Sequence, residues 1–239
     1  MIGTIVNASA IVIAGLLALA LKKPLPAKTQ NGLKILLGVF TVFFGLRLTW
    51  LSLNGTLLQV GKQLAIVVLA MMLGRVAGHG LHLQKASNRV GQLARRLIAA
   101  GAASPVHRFS DGFNTCAVLF CAAPLAVLGA VQDGLSGYLP PLLIKAVMDG
   151  LATMAFAASF GGSVILSALP VLAWQGTITL LAGAAAPFLV QHQLVDSINA
   201  TGGLLVFCVA LVILEIKKLQ LTDYLPSLVF APLLTWLWR

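Results

Sequence analysis

The chain has 239 residues, of which 59% are hydrophobic and only 9% charged. Soluble domains average roughly 25% charged residues, and a globule this apolar has too few polar side chains to cover itself, so the composition excludes an ordinary water-soluble domain. The net charge of +10 comes from 16 Lys and Arg against 6 Asp and Glu, with the basic residues mainly between apolar runs, which points to membrane topology and not to nucleic acid.

A transmembrane helix needs about 20 apolar residues. Such runs are predicted at roughly 3–21, 32–52, 57–79, 112–132, 140–160, 163–183, 199–216 and 222–238. The last is short and holds Pro226 and Pro232, so seven spans is the alternative to eight. Lys22 and Lys23 follow the first run instead of preceding it, the reverse of a cleaved signal peptide, and that run is read as a retained span. Continuous apolarity excludes a β-barrel. The expected class is an all-α integral membrane protein, a polytopic bundle of seven or eight transmembrane helices in one membrane domain covering 1–239.

Orientation follows from the basic residues. With the N-terminus outside, Lys22, Lys23, Lys28, Lys34, Arg75, Lys85, Arg89, Arg95, Arg96, Arg108, Lys217 and Lys218 lie inside; Arg47, Lys62, Lys145 and Arg239 lie toward the outside. The basic segment 81–108 is then cytoplasmic. Within it Leu83, Val90, Leu93 and Leu97 recur near helical spacing against Lys85, Arg89, Gln92, Arg95 and Arg96. That pattern fits an amphipathic helix on an anionic leaflet. A topology-setting loop and an extension of the third helix are the plainer alternatives.

Three motifs stand at the starts of apolar runs: Val6-Asn7-Ala8-Ser9, Phe113-Asn114-Thr115-Cys116 and Ile198-Asn199-Ala200-Thr201. They suggest three-helix inverted repeats, 1–80 and 110–185, followed by C-terminal helices in 197–239, as in many secondary transporters. Ordinary helix capping by Asn, Ser and Thr gives the same pattern.

Charge at membrane depth costs about 2.5–3.5 kcal/mol per residue on insertion scales. Asp149 falls in the middle of a span, with Gly150 after it and Lys145 one helical turn before it, a spacing that permits an ion pair. It reads as a ligand for a coupling ion or a proton carrier, with a structural pair as the alternative. Asp133-Gly134 reads as an outer turn and Asp111 as a helix cap at the inner entrance. Gly161 and Gly162 leave almost no loop between two spans, Pro170 is expected to interrupt the second, and Gln175 follows at depth. Helix breaks of this kind free backbone groups that must face protein or a wet cavity. Gly74 and Gly78 have the small-xxx-small spacing of close helix packing, in a dimer or within one chain. Cys116, Cys121 and Cys208 read as buried small side chains, and neither an HExxH pattern nor a P-loop occurs. No cofactor and no enzymatic constellation is expected.

Gly3-Thr4-Ile5-Val6-Asn7-Ala8, Val131-Gln132-Asp133-Gly134, Met148-Asp149-Gly150, Ala168-Leu169-Pro170, Gln175-Gly176-Thr177-Ile178-Thr179-Leu180 and Asn199-Ala200-Thr201-Gly202-Gly203 resemble the YdfK/YqgA-like bacterial inner-membrane family, a domain of unknown function. The resemblance implies a multi-pass protein of the bacterial inner membrane and says little of chemistry. Leu139-Pro140-Pro141 departs from its pattern, where a variable loop is expected.

These features converge on a secondary transporter or channel-like carrier of a small solute or cation. Asn7, Asn114 and Asn199 would meet at a central site, Asp149 would take the cation or proton with Lys145 tuning it, and Gln175 and Asp133 would complete the path. The expected partners are the lipid bilayer, the solute and a second copy in a homo-oligomer, with no nucleic acid. The rival is a non-transporting membrane scaffold that engages lipid or protein through the basic segment.

Overall fold

The computed structural model describes residues 1–21, 26–100 and 105–238, and among them every regular element is helical. In chain order these are α1 (Ile2–Leu21), α2 (Ala27–Leu51), α3 (Leu57–Gly80), α4 (Leu83–Ala100), α5 (Pro105–Ala122), α6 (Pro124–Ser136), α7 (Pro140–Phe160), α8 (Ala168–Gln191), α9 (Val195–Ile213) and α10 (Ser227–Leu237). Short 3-10 turns, Gly161–Ser167 and Leu221–Tyr224, precede α8 and α10. Lys22, Lys23 and Arg239 from the topology argument lie outside the described residues, as do the side chains of Val90, Arg95, Leu97 and Arg108.

Among the described residues five helical stretches are long and apolar enough to cross a membrane: Ile2–Leu21, Lys28–Leu51, Leu57–Gly80, Pro140–Gln191 and Val195–Ile213. The bent pair Phe109–Ala122 and Pro124–Ser136 makes a sixth if it is one span. Large apolar side chains such as Ile13, Leu17, Phe40, Phe43, Leu69 and Met72 stay exposed on these helices, as suits a surface solvated by lipid.

Pro140–Gln191 folds back on itself, and its contacts with α1 show it. Along α1, Gly3 packs on Leu142, Asn7 on Asp149 and Gly15 on Thr153, so α7 runs parallel to α1. Thr4 meets Thr179, Asn7 meets Gln175 and Gly15 meets Ile165, so α8 runs the other way. The reversal occurs at Gly161, whose φ of 71° is open to glycine at little cost. Pro170 does not interrupt the span as expected. It is the third residue of α8, and in a helix's first turn the missing N–H has no partner to lose. Pro140 and Pro141 likewise start α7 instead of forming a loop.

The face at which α1 begins is termed upper and the face bearing α4 lower. Gly112 of α5 lies against Phe160 and Ser163, and Asp133 of α6 reaches Gly3, so α5 and α6 together run from lower to upper. The single helix expected over 112–132 is broken: the two halves meet at 58° across Ala123. Pro124 cannot donate to the carbonyl one turn back and so starts a new helix. Asp111 is therefore no cap, because α5 begins at Pro105 and holds it in its interior.

A second layer pairs α2 with α9 and α3 with α10. Thr49 Oγ1 lies 3.2 Å from the Ala200 carbonyl, and a β-carbon at Gly45 would come within 2.8 Å of the Gly203 carbonyl, so α2 and α9 cross at backbone distance. Gly74 faces the backbone of Ser227 and Gly78 that of Asp223, so both glycines are covered within the chain and the dimer expected from their spacing loses this support. Leu37, Leu125, Leu128, Ile144, Leu205, Val206 and Val209 form one buried core, joining α6 and α7 to this layer. Ile11, Cys116, Phe120, Phe160, Val164 and Val171 form the other, beneath α1.

The basic segment is a separate helix on the lower face. His82 (φ 57°) turns the chain, and the Gln84 N–H donates to Asp223 Oδ1 at 2.7 Å, so α4 is capped by a carboxylate from the far end of the sequence. In return the Thr222 N–H donates to Gln84 Oε1 at 3.2 Å.

Candidate functional site: a buried ion pair among three helices

One stripe of α1, comprising Gly3, Thr4, Asn7, Ala8, Ile11, Ala14 and Gly15, is buried. Its period is that of a helix with one face inward. The lower part of the stripe is small or apolar and packs on the core, while the upper part is polar and meets polar partners on α6, α7 and α8.

From the upper face downward these partners form a ladder. Asp133 Oδ2 accepts the Gly3 N–H at 3.1 Å, satisfying a donor that a helix's first turn leaves open. Thr4 Oγ1 and Thr179 Oγ1 are 3.2 Å apart. Asn7 Nδ2 donates to Asp149 Oδ2 and to Gln175 Oε1, each at 3.1 Å. Gln175 and Thr179 are one turn apart on α8, as their spacing requires.

Asp149 and Lys145 are one turn apart on α7, and Lys145 Nζ lies 2.6 Å from Asp149 Oδ2. Their side chains are 2% and 8% exposed, so neither charge is neutralised by water. The Lys145 ammonium also sits 5.9 Å from the centre of the Phe120 ring, within cation–π range. The Thr153 hydroxyl donates to the Asp149 backbone carbonyl at 2.7 Å.

Not all the valence is used. Both donors converge on Oδ2 of Asp149. Asn7 Oδ1 and Gln175 Nε2 are buried and unpartnered. Beside the carboxylate the cluster thus presents one amide oxygen and one amide NH2 group with no protein group to meet them. A buried polar group without a partner costs roughly 1–3 kcal/mol. Oxygen ligands of this kind suit a hard cation or an ammonium group, and a displaced Lys145 would leave Asp149 free for either. Among the described residues no three His, Cys, Asp or Glu side chains are grouped to hold a metal ion.

The structure brings Asp149, Lys145, Asn7 and Gln175 into one cluster, with Asp133 one turn of α1 above it. It does not bring in the other two asparagines. Asn199 is buried in α9, near Gly202, where the Gln132 amide occupies the place of a side chain; Asn199 Oδ1 and both amide atoms of Gln132 are unpartnered. Asn114 is exposed on α5, with Ser110 Oγ at 3.5 Å. The three motifs therefore build no common site. Nor do they cap, because each Asn lies beyond the first turn of its helix. Helices that pack through different faces have no reason to aim equivalent residues at one point.

Sequence reasoning missed Thr4 and Thr179, which look like ordinary helix residues, and read Asp133 both as a turn residue and as part of the path. Asp133-Gly134 sits near the end of α6, but Gln132 faces α9, Asp133 caps α1 and Gly134 admits the backbone of α8 at Thr179. Three neighbouring positions serving three different helices is a pattern that no local signal reveals.

A family described as protein of unknown function, DUF554, matches residues 2–236. An uncharacterized protein of Escherichia coli (strain K12), YqgA, is 29% identical over 99% of this chain and 97% of its own length. An uncharacterized membrane protein of Bacillus subtilis (strain 168), YdfK, is 28% identical over 97% of this chain and 94% of its own length. No solved structure matches the chain significantly.

Proposed function

We propose that this chain, which belongs to the DUF554 family of proteins of unknown function, carries a small solute or cation across the bacterial inner membrane. The observation behind the proposal is the Lys145–Asp149 pair buried among α1, α7 and α8 beside the open valences of Asn7 and Gln175. A buried ion pair adds little net stability over apolar side chains of the same volume, so folding alone gives no reason to keep it. At membrane depth such a pair marks a pathway by default.

In this reading Lys145 is a resident counter-ion. A cation entering from either face displaces its ammonium from Asp149 Oδ2 and takes the oxygens of Asp149 and Asn7. When the cation leaves, Lys145 returns, so the empty site never holds a bare buried carboxylate. Proton binding to Asp149 releases Lys145 in the same way and offers a route to coupling.

The topology of the proposal is eight crossings, counting α5–α6 as one broken span and α10 with its leading turn as a short one. The order of contacts along α1, α7 and α8 supports it, as do the exposed basic residues Lys85, Arg89 and Arg96 on the lower face. By the basic-residue rule that face is cytoplasmic and the N-terminus is outside. The first and second groups of three spans then run in opposite senses, as inverted repeats require.

The test is ion flux into proteoliposomes loaded with a pH-sensitive dye under imposed gradients of sodium, potassium or methylammonium. The expected result is faster exchange than in protein-free vesicles, lost when Lys145→Gln and Asp149→Asn are combined. Equal rates for the two proteins under every gradient would refute the proposal. A second reading, a membrane scaffold, draws on α4 being held to the lower face by Asp223 with Arg89 and Arg96 exposed. It predicts no flux, and loss of binding to anionic vesicles when those arginines are neutralised.

A further inference from the structure

A cavity of about 520 Å³ opens on the upper face between the start of α3, the start of α9 and the end of α10. It is separate from the ion-pair cluster, and its size is that of a small-molecule cleft. Two opposite charges line it. Lys62 comes from α3 and Asp196 from the first turn of α9, both side chains are exposed, and among the described residues neither is in an ion pair.

The walls are prepared. Lys62 Nζ donates to the Trp238 carbonyl and sits 6.0 Å from the centre of the indole ring, which holds the ammonium to one side. Asn54 also lines the cavity, beside the Asp196 carboxylate. Asn54 is itself fixed by Gln63, whose Oε1 accepts the Asn54 N–H and whose Nε2 donates to the Asn54 carbonyl, both at 3.1 Å. The floor is Ile66 and Val67, both buried and apolar.

We infer that this cavity binds a small zwitterion, its ammonium toward Asp196, its carboxylate toward Lys62 and a short apolar part on the floor. A ligand of one charge would meet only one of these two side chains, whereas a zwitterion meets both. The amides of Asn54 and Gln63 supply fixed polar edges that need no reordering on binding. The inference is independent of the carrier reading, since it concerns binding at one face.

The experiment is calorimetric titration of the full chain in lipid nanodiscs with L-alanine, L-glutamine and glycine betaine, using propionate and ethylammonium as single-charge controls. At least one zwitterion should bind, and Asp196→Asn and Lys62→Gln should each weaken it about tenfold or more. The combined Lys145→Gln and Asp149→Asn protein should bind as the wild type does. Failure of all three zwitterions to bind, a single-charge control that binds equally and is weakened equally by Asp196→Asn and Lys62→Gln, or zwitterion binding indifferent to both of these substitutions would each overturn the assignment. Zwitterion binding without flux would count against the carrier and leave this site standing; flux without zwitterion binding would do the reverse.

Discussion

Removing Asp149 while keeping Lys145 should be among the most damaging single substitutions in the protein. At 2.6 Å, with an effective dielectric near 20, the attraction between the two charges is about 6 kcal/mol. Desolvation of two buried ions offsets that by several kcal/mol each, so the intact pair is close to neutral for stability. Asp149→Asn abolishes the attraction but leaves the Lys145 ammonium in a site 2% exposed, and the expected cost is about 3–5 kcal/mol. Lys145→Met strands the carboxylate and should cost a similar amount. The double variant Lys145→Met with Asp149→Asn strands neither charge and should recover most of the loss. Reversible unfolding of the four proteins in one detergent mixture gives the coupling energy directly. Single variants that each lose less than about 1 kcal/mol, or a double variant that loses the sum of both, would show that water reaches the pair and that the reasoning from burial is wrong.

Other substitutions probe separate parts of the account. Gly78→Ala places a β-carbon on the backbone of Asp223 and should cost about 1–3 kcal/mol, while Gly61→Ala on the same helix meets nothing and should stabilise by up to about 1 kcal/mol, both read from thermal unfolding. Asp223→Ala removes the remote cap of α4, and hydrogen exchange should show lost protection over Leu83–Ala100 with α1 unchanged. Glu215 is the only glutamate in the sequence, and Lys34 beside it holds its carboxyl below the ordinary value of 4.5, so selective ¹³C labelling reports one titration. Its contribution is present above the unfolded value and is lost as pH falls through the lower, folded one. Lys34→Ala or added salt should return the midpoint toward 4.5, and a midpoint indifferent to both would contradict the pairing.

What the sequence made legible was whatever is local along a helix. Lys145 and Asp149 are four residues apart in an apolar run, so both the pair and its expense were visible before any fold. Gly161 was visible because few other residues mark a reversal between two spans so short of loop. The partners of these groups were not. Gly3 and Asp133 are 130 residues apart, Asn7 and Gln175 168, and Gln84 and Asp223 139, and only packing decides that they meet. The break at Pro124 hid for a different reason: apolarity is continuous across 112–132, and hydropathy registers a change of polarity but not a change of direction. The Asn motifs misled because likeness at helix starts says nothing of which face each helix turns inward. Asp196, with no charged neighbour in sequence, drew no notice until the fold placed it on the same cavity as Lys62.

The measurement that bears most directly on the central claim is infrared difference spectroscopy of the reconstituted protein as sodium, potassium and methylammonium are exchanged over it. If the cluster of Asp149, Lys145, Asn7 and Gln175 takes a cation, at least one exchange should produce a carboxylate difference band. That band should vanish when Lys145→Gln and Asp149→Asn are combined and persist in Asp196→Asn. No carboxylate band with any of the three ions, or a band that survives the double substitution, would contradict the account.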